Sequence, residues 1–170
     1  ARPDTWLNQI HEKVAIDDLN QFRVSMIKKI NSQDGLRSRY FRLAKSLLEG
    51  IVGNELAMQR RINLSIQFPG DNSSLLPIHA DAWSGDSPFE VVVWIPLVDC
   101  YKTKSMYILP PEKTSELHRR FPDFKEKGVE AMFREFEEDF RWIEIKFGEV
   151  LVFNQNLPHG NRINMESETR

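Results

Sequence analysis

The chain has 170 residues, a formal net charge of -2 and 41% hydrophobic residues. That is enough for one domain with a real core, because a chain of this size buries roughly two-thirds of its extended surface. Interspersed charges of both signs offer no basic footprint for nucleic acid and no polybasic or amphipathic membrane anchor, and apolar runs such as Val91 to Leu97 are far too short to span a bilayer.

One cysteine, Cys100, excludes an internal disulfide and fits a reducing cytoplasm. The chain starts at Ala1 with neither a methionine nor a visible signal peptide, and stops at Arg170 where a further strand is due, so both ends read as trimmed.

Residues 1–58 read as a helical N-terminal layer. Ala15-Ile16-Asp17-Asp18 offers acidic caps, after which Leu19, Phe22, Val24, Met26, Ile27 and Ile30 recur at helical spacing. Ser32 to Gly35 is a stop signal. A second helix is expected from about Ser38 through Leu48, burying Tyr40, Leu43, Ala44, Leu47 and Leu48, and broken by Gly50 and Gly53.

From Arg61 the period changes. Ile62, Leu64, Ile66 and Phe68 alternate with Asn63, Ser65 and Gln67, the pattern of a half-buried strand whose polar side faces water or an interior pocket. A turn cluster from Pro69 to Asn72 follows. Phe89 to Leu97 and Ser105 to Leu109 read as strands, ended by Pro110-Pro111.

Residues 112–141 interrupt them with two charged, helix-favouring stretches, Thr114 to Phe121 and Phe124 to Phe140. Val129, Met132, Phe133, Phe136 and Phe140 form one face of the second. This insertion is either a helical excursion packed by its aromatic stripe or a lid over an active-site mouth. Strands resume at Trp142 to Lys146, continue from Val150 to Phe153, and return at His159 to Ile163. Many short strands, with helices at the N-terminus and in one insertion, predict an α+β chain on a β-sandwich or barrel, residues 59–170 being its core.

His79-Ala80-Asp81 lies in a stretch that reads as extended. Alternate side chains of a strand share a side, so His79 and Asp81 can reach one point while Ala80 turns away. His159, delivered near a strand start 80 residues later, supplies the third arm of a two-histidine, one-carboxylate face of the kind that holds non-haem Fe(II). Arg170 follows after 11 more residues, with a planar fork suited to a carboxylate. Each element alone has a plainer reading. The triplet fits a polar turn beside Pro77 and Trp83, His159 a surface histidine, and Arg170 a solvated charge.

Together, in this order, they carry a family resemblance. Asn63-Leu64-Ser65-Ile66-Gln67, His79 through Ser87, Trp94-Ile95-Pro96-Leu97 and Gly148 to Arg170 resemble the Fe(II)/2-oxoglutarate-dependent oxygenases. The layout is similar to the phytanoyl-hydroxylase-like branch, and closest to the small oxygenases of bacterial carbohydrate biosynthesis clusters.

The resemblance implies one oxygenase domain over residues 1–170, folded as a double-stranded β-helix (a cupin-like jelly roll). His79, Asp81 and His159 would hold Fe(II), and Arg170 the distal carboxylate of 2-oxoglutarate. Arg162, Lys102 and Lys104 are the other basic candidates for that carboxylate. Trp94, Asn161 and Gln67 fall where such enzymes contact the cosubstrate, although Trp94 also reads as a core aromatic and the other two as solvent-facing strand polars.

The implied reaction couples oxidative decarboxylation of 2-oxoglutarate by O₂ to oxidation of a substrate C–H bond. The substrate would be a small molecule, such as a sugar or nucleotide-sugar. Asp81 in the ligand set favours hydroxylation or desaturation over halogenation. Two other readings use the same residues: a metal-dependent cupin-type isomerase or dioxygenase that does not use 2-oxoglutarate, and a non-catalytic carbohydrate-binding sandwich with Trp83 and Trp94 as a stacking platform. His11 and His118, in charged helical contexts, read as surface residues, and Cys100 has no histidine partner that would make it a nucleophile.

Overall fold

The computed structural model describes residues 3–170. Two compact units are built from it: one from the segment ending at His11 together with Gln67–Arg170, the other from Glu12–Ile66. The short first helix, α1 (Pro3–Leu7), thus belongs to the unit of the later strands rather than to that of the long helices.

The Glu12–Ile66 unit holds α2 (Leu19–Asn31) and α3 (Leu36–Val52). Leu19 is buried and Phe22, Met26, Ile27 and Ile30 are half-buried, but Val24 is exposed. At 100° per residue Val24 lies off the stripe that runs through the others. The acidic residues ahead of α2 form a 3₁₀ turn, Ile16–Asp18, and Asp18 makes no side-chain cap bond. Their contribution is the favourable negative charge near a helix N-terminus.

Helix α3 is longer than its sequence suggests, because it runs through Gly50 and ends at Gly53, where φ is 89°. An interior glycine costs a helix about 1 kcal/mol relative to alanine, which weakens it without stopping it. Its inward side is Tyr40, Ala44 and Leu48, spaced four apart, whereas Leu43 and Leu47 are 65% and 54% exposed. Asn31 closes this unit by pairing both its amide atoms with the backbone of Ile62, at 2.8 and 2.9 Å.

In the other unit the strands are short. β1 (Val91–Trp94) pairs antiparallel with β4 (Leu151–Asn154), and β2 (Tyr107–Ile108) lies between β3 (Arg141–Trp142) and β5 (His159–Gly160), antiparallel to both. The Ile62–Phe68 stretch joins no ladder. Burial alternates along it to Ile66 and then becomes continuous, and Gln67 exchanges two backbone hydrogen bonds with Arg170, both 2.9 Å. Beyond Gly160 the chain leaves strand geometry, held as a loop by Asn164, whose side chain bonds the Glu168 carbonyl and the Glu166 N–H.

Register sets the two faces of the three-stranded sheet. Tyr107 stands opposite Gly160 and Ile108 opposite His159, and directly opposed residues share a face while neighbours along a strand do not. The Tyr107 face is covered by the insertion, with helices α4 (Pro111–Arg119) and α5 (Gly128–Glu135) and 3₁₀ turns at Phe121–Phe124 and Glu137–Asp139. Leu117, Phe124, Met132, Phe133, Phe136 and Phe140 pack with Tyr107 there, while Val129 stays exposed. The aromatic stripe is therefore core in this structure. A separate cluster of Met106, Ile108 and Phe153 lies on the His159 side, and another joins Val98, Cys100 and Ile145. Among the described residues no helix is long and apolar enough to cross a membrane.

Candidate metal centre

Two backbone contacts bring distant parts of the sequence together. The N–H of His79 donates to the carbonyl of His159 at 3.0 Å, and the N–H of His159 donates to that of His79 at 2.8 Å, an isolated antiparallel bridge. Their imidazoles consequently stand side by side, with ring centroids 4.4 Å apart.

Asp81 arrives differently from the sequence expectation. Ala80 is extended and fully buried, but Asp81 opens a 3₁₀ turn, Asp81–Ser84, capped by Gly85 in the left-handed region at φ 96°. The carboxylate still reaches the histidines, because a single extended residue separates it from His79. Asp81 Oδ1 lies 3.7 Å from His79 Nε2 and 4.0 Å from His159 Nε2. Donors bound about 2.1 Å from a common ion stand at most about 4.2 Å apart; both separations fall inside that limit, and ligand atoms of all three side chains lie within 4.8 Å of one another. Among the described residues, His79, Asp81 and His159 are the group of side chains that could hold a metal ion.

The ring tautomers follow from the neighbours. His79 Nδ1 is 2.8 Å from the Pro77 carbonyl, and His159 Nδ1 is 2.8 Å from the Leu157 carbonyl. A carbonyl only accepts, so each Nδ1 carries the hydrogen and each Nε2 presents its lone pair to the shared point. Burial holds the His159 imidazole below its ordinary pKa, aided by the His79 charge and opposed by the Leu157 carbonyl and the Asp81 carboxylate. The neutral ring is the form that ligates a metal. The His159 side chain is 11% exposed and those of His79 and Asp81 32% each, so the centre opens to solvent on one side, where further ligands can enter.

Of the other expected residues, Gln67, Asn161 and Arg170 form a linked group, and Trp94 lies in β1. Gln67 is fully buried, and its Nε2 donates to the Arg162 carbonyl at 2.8 Å. Its Oε1 accepts from Asn161 Nδ2 at 3.3 Å, and the same Asn161 amide donates to the Ser74 carbonyl at 3.1 Å while its Oδ1 accepts the Leu76 N–H. Both side chains thus hold the chain just before Pro77 against the chain just after Gly160, which positions the two histidines.

Arg170 joins this group through its backbone pair with Gln67. Its guanidinium is buried, which lowers its pKa, and donates to the Ser105 carbonyl at 3.2 Å. Trp94, in β1, is partly buried against the clusters of Cys100 and of Phe153, the latter on the His159 side, whereas Trp83 packs with the Tyr107 cluster. The two tryptophans therefore do not build a common platform.

Of the alternative basic candidates, Lys102 is exposed and opens a 3₁₀ turn at φ 43°, while the other two are engaged. Arg162 grips Glu130 with both ends of its fork, at 2.7 and 3.1 Å, and lies over the Phe133 ring. Lys104 is fully buried between Asn8 and Glu168, at 2.6 and 2.7 Å. His11 is half-buried rather than on the surface, and bonds Thr169 Oγ1 through Nδ1 at 2.9 Å. Cys100 is buried, its thiol pushed up to about 11 chiefly by desolvation, an inert environment.

Compared with protein-family models, with curated proteins and with solved structures, the chain matches none of them.

Sequence reasoning missed the contact between Trp83 and His118, the two carbonyls that orient the histidines, and the need for glycine at 160. A Cβ at Gly160 would stand 2.6 Å from both the Leu76 carbonyl oxygen and the Tyr107 hydroxyl. The only signal in the sequence is that Gly160 immediately follows His159.

Proposed function

We propose that the chain is a non-haem Fe(II)/2-oxoglutarate-dependent oxygenase on a double-stranded β-helix, acting on a small-molecule or carbohydrate-related substrate. The observation that carries the reading is that two imidazoles and one carboxylate bring ligand atoms within 4.8 Å of one another at a partly exposed place, with each imidazole Nδ1 facing a carbonyl. This donor set suits Fe(II), and three protein ligands leave positions free for chemistry. When bound, the iron with 2-oxoglutarate and O₂ would supply the oxidising power for a substrate C–H bond.

The residues have separate tasks. His79, Asp81 and His159 hold the metal, and the Pro77 and Leu157 carbonyls keep both Nδ1 atoms protonated. Arg170 offers a buried planar fork to the distal carboxylate of 2-oxoglutarate. The Ser105 hydroxyl is buried with no hydrogen-bond partner among the described residues, while its own carbonyl accepts from Arg170. A carboxylate accepting from both groups would satisfy it. A cytoplasmic location belongs to the same proposal and rests on the single buried cysteine.

Anaerobic Fe(II) plus 2-oxoglutarate gives a weak visible charge-transfer band, which His79→Ala and Asp81→Ala abolish. Succinate release under air separates this reading from a cupin-type isomerase or dioxygenase. A protein that binds no iron and consumes no 2-oxoglutarate would refute it.

A further inference from the structure

Asp81 is held by one 3₁₀ turn, and that turn has a second attachment two residues on. The Trp83 indole N–H donates to His118 Nε2 at 3.3 Å, and the Trp83 ring packs edge-on against Phe121, with centroids 4.9 Å apart. Both partners come from the insertion, His118 from α4 and Phe121 from the 3₁₀ turn after it. Their base is firm, because the adjacent Leu117 is fully buried and Phe124 is 5% exposed in the Tyr107 cluster. Within the turn itself, the Trp83 N–H donates to the Ala80 carbonyl at 2.9 Å. Trp83 is thus bonded at its backbone to the residue before the carboxylate and at its side chain to a rigid helix.

We propose that Trp83 and His118 are positioning residues which latch the Asp81 turn to the insertion and so set the affinity and geometry of the metal centre. The inference rests on the metal reading above. Neither side chain touches the ion. They act by limiting how far the turn can rotate the carboxylate away from the two imidazoles, which are fixed independently by their backbone bridge. The insertion on this view is a buttress of the metal centre, and its contact with the site is the Trp83 side chain.

The test uses Co(II) and Mn(II) as probes on the full 170-residue chain. Partners outside the ligand set commonly change metal affinity 10- to 100-fold, and this contact is one step further out, so a loss of about 3- to 10-fold is expected. Trp83→Phe keeps the ring packing and removes the N–H, and His118→Ala removes the acceptor from an exposed position. Both should weaken Mn(II) binding by that factor and alter the Co(II) absorption spectrum, while the metal-free melting temperature of His118→Ala stays at the wild-type value. His118→Gln, which restores an acceptor, should recover affinity and spectrum.

Wild-type affinity and an unchanged Co(II) spectrum in both loss variants would overturn the latch while leaving the metal reading in place. A wild-type chain that binds neither cation overturns both together.

Discussion

Both imidazoles of the candidate centre are oriented by the chain itself, because each Nδ1 faces a carbonyl two residues back in its own segment. That local device spares the centre a tautomer search on binding. Gly160, next to His159, is subject to an equally local constraint. A Cβ there would meet the Leu76 backbone carbonyl and the hydroxyl of the fully buried Tyr107, so either backbone or a core side chain must shift. Gly160→Ala is therefore expected to cost about 1–3 kcal/mol, as overpacking of a filled core does, and to lower the melting temperature by several degrees. Tyr107→Phe should behave oppositely. The Tyr107 hydroxyl is buried without a partner among the described residues, so deleting it leaves stability equal or slightly higher. A marked loss of stability in Tyr107→Phe would show that the hydroxyl is satisfied after all.

Elements are joined by charge as well as by packing. Arg162, just past β5, reaches α5 through its two-pronged contact with Glu130 and its stacking on Phe133. The Arg162 hydrogen bonds hold the Glu130 carboxyl below its usual pKa. A carboxyl depressed on folding stabilises the native state above its unfolded value and loses that contribution as pH falls through its folded value. Both groups are largely exposed, so the pair is worth under about 1 kcal/mol. Glu130→Gln should be slightly less stable than the native chain at neutral pH, with the difference closing as pH drops below the ordinary carboxylate range. A difference that widens in acid would contradict this sign. Helix α3 tells a similar story about propensity. Leu43 and Leu47 are apolar and helix-favouring, yet they lie outside the buried side of the helix.

At the scale of the whole molecule, the three candidate ligands His79, Asp81 and His159 belong to one compact unit and the long helices α2 and α3 to the other. A cation that binds only the folded site stabilises it by about 2.7 kcal/mol at 100 times its dissociation constant. Calorimetry with added Mn(II) is expected to raise the melting of the unit containing Gln67–Arg170, and His159→Ala should abolish that rise. If the variant shows the same shift as the native chain, the ion is binding elsewhere.

The sequence alone was enough for what depends on local pattern. Helices α2 and α3, the helical insertion with its aromatic stripe, the runs that hold β1, β2 and β4, and the residue types of the triad follow from periodicity, breakers and the chemistry of imidazole and carboxylate. Tertiary structure decided the rest, because it turns on partners far apart in the chain. Only folding shows that Asp81 opens a 3₁₀ turn instead of continuing an extended segment, and that Gln67 and Asn161 bond each other and the backbone around the histidines. It also shows that Trp94 packs in the core while Trp83 meets His118. A hydrogen bond across 94 residues, such as that from Asn161 to Gln67, leaves no periodic trace in sequence, since its geometry is set by which backbones the register brings side by side.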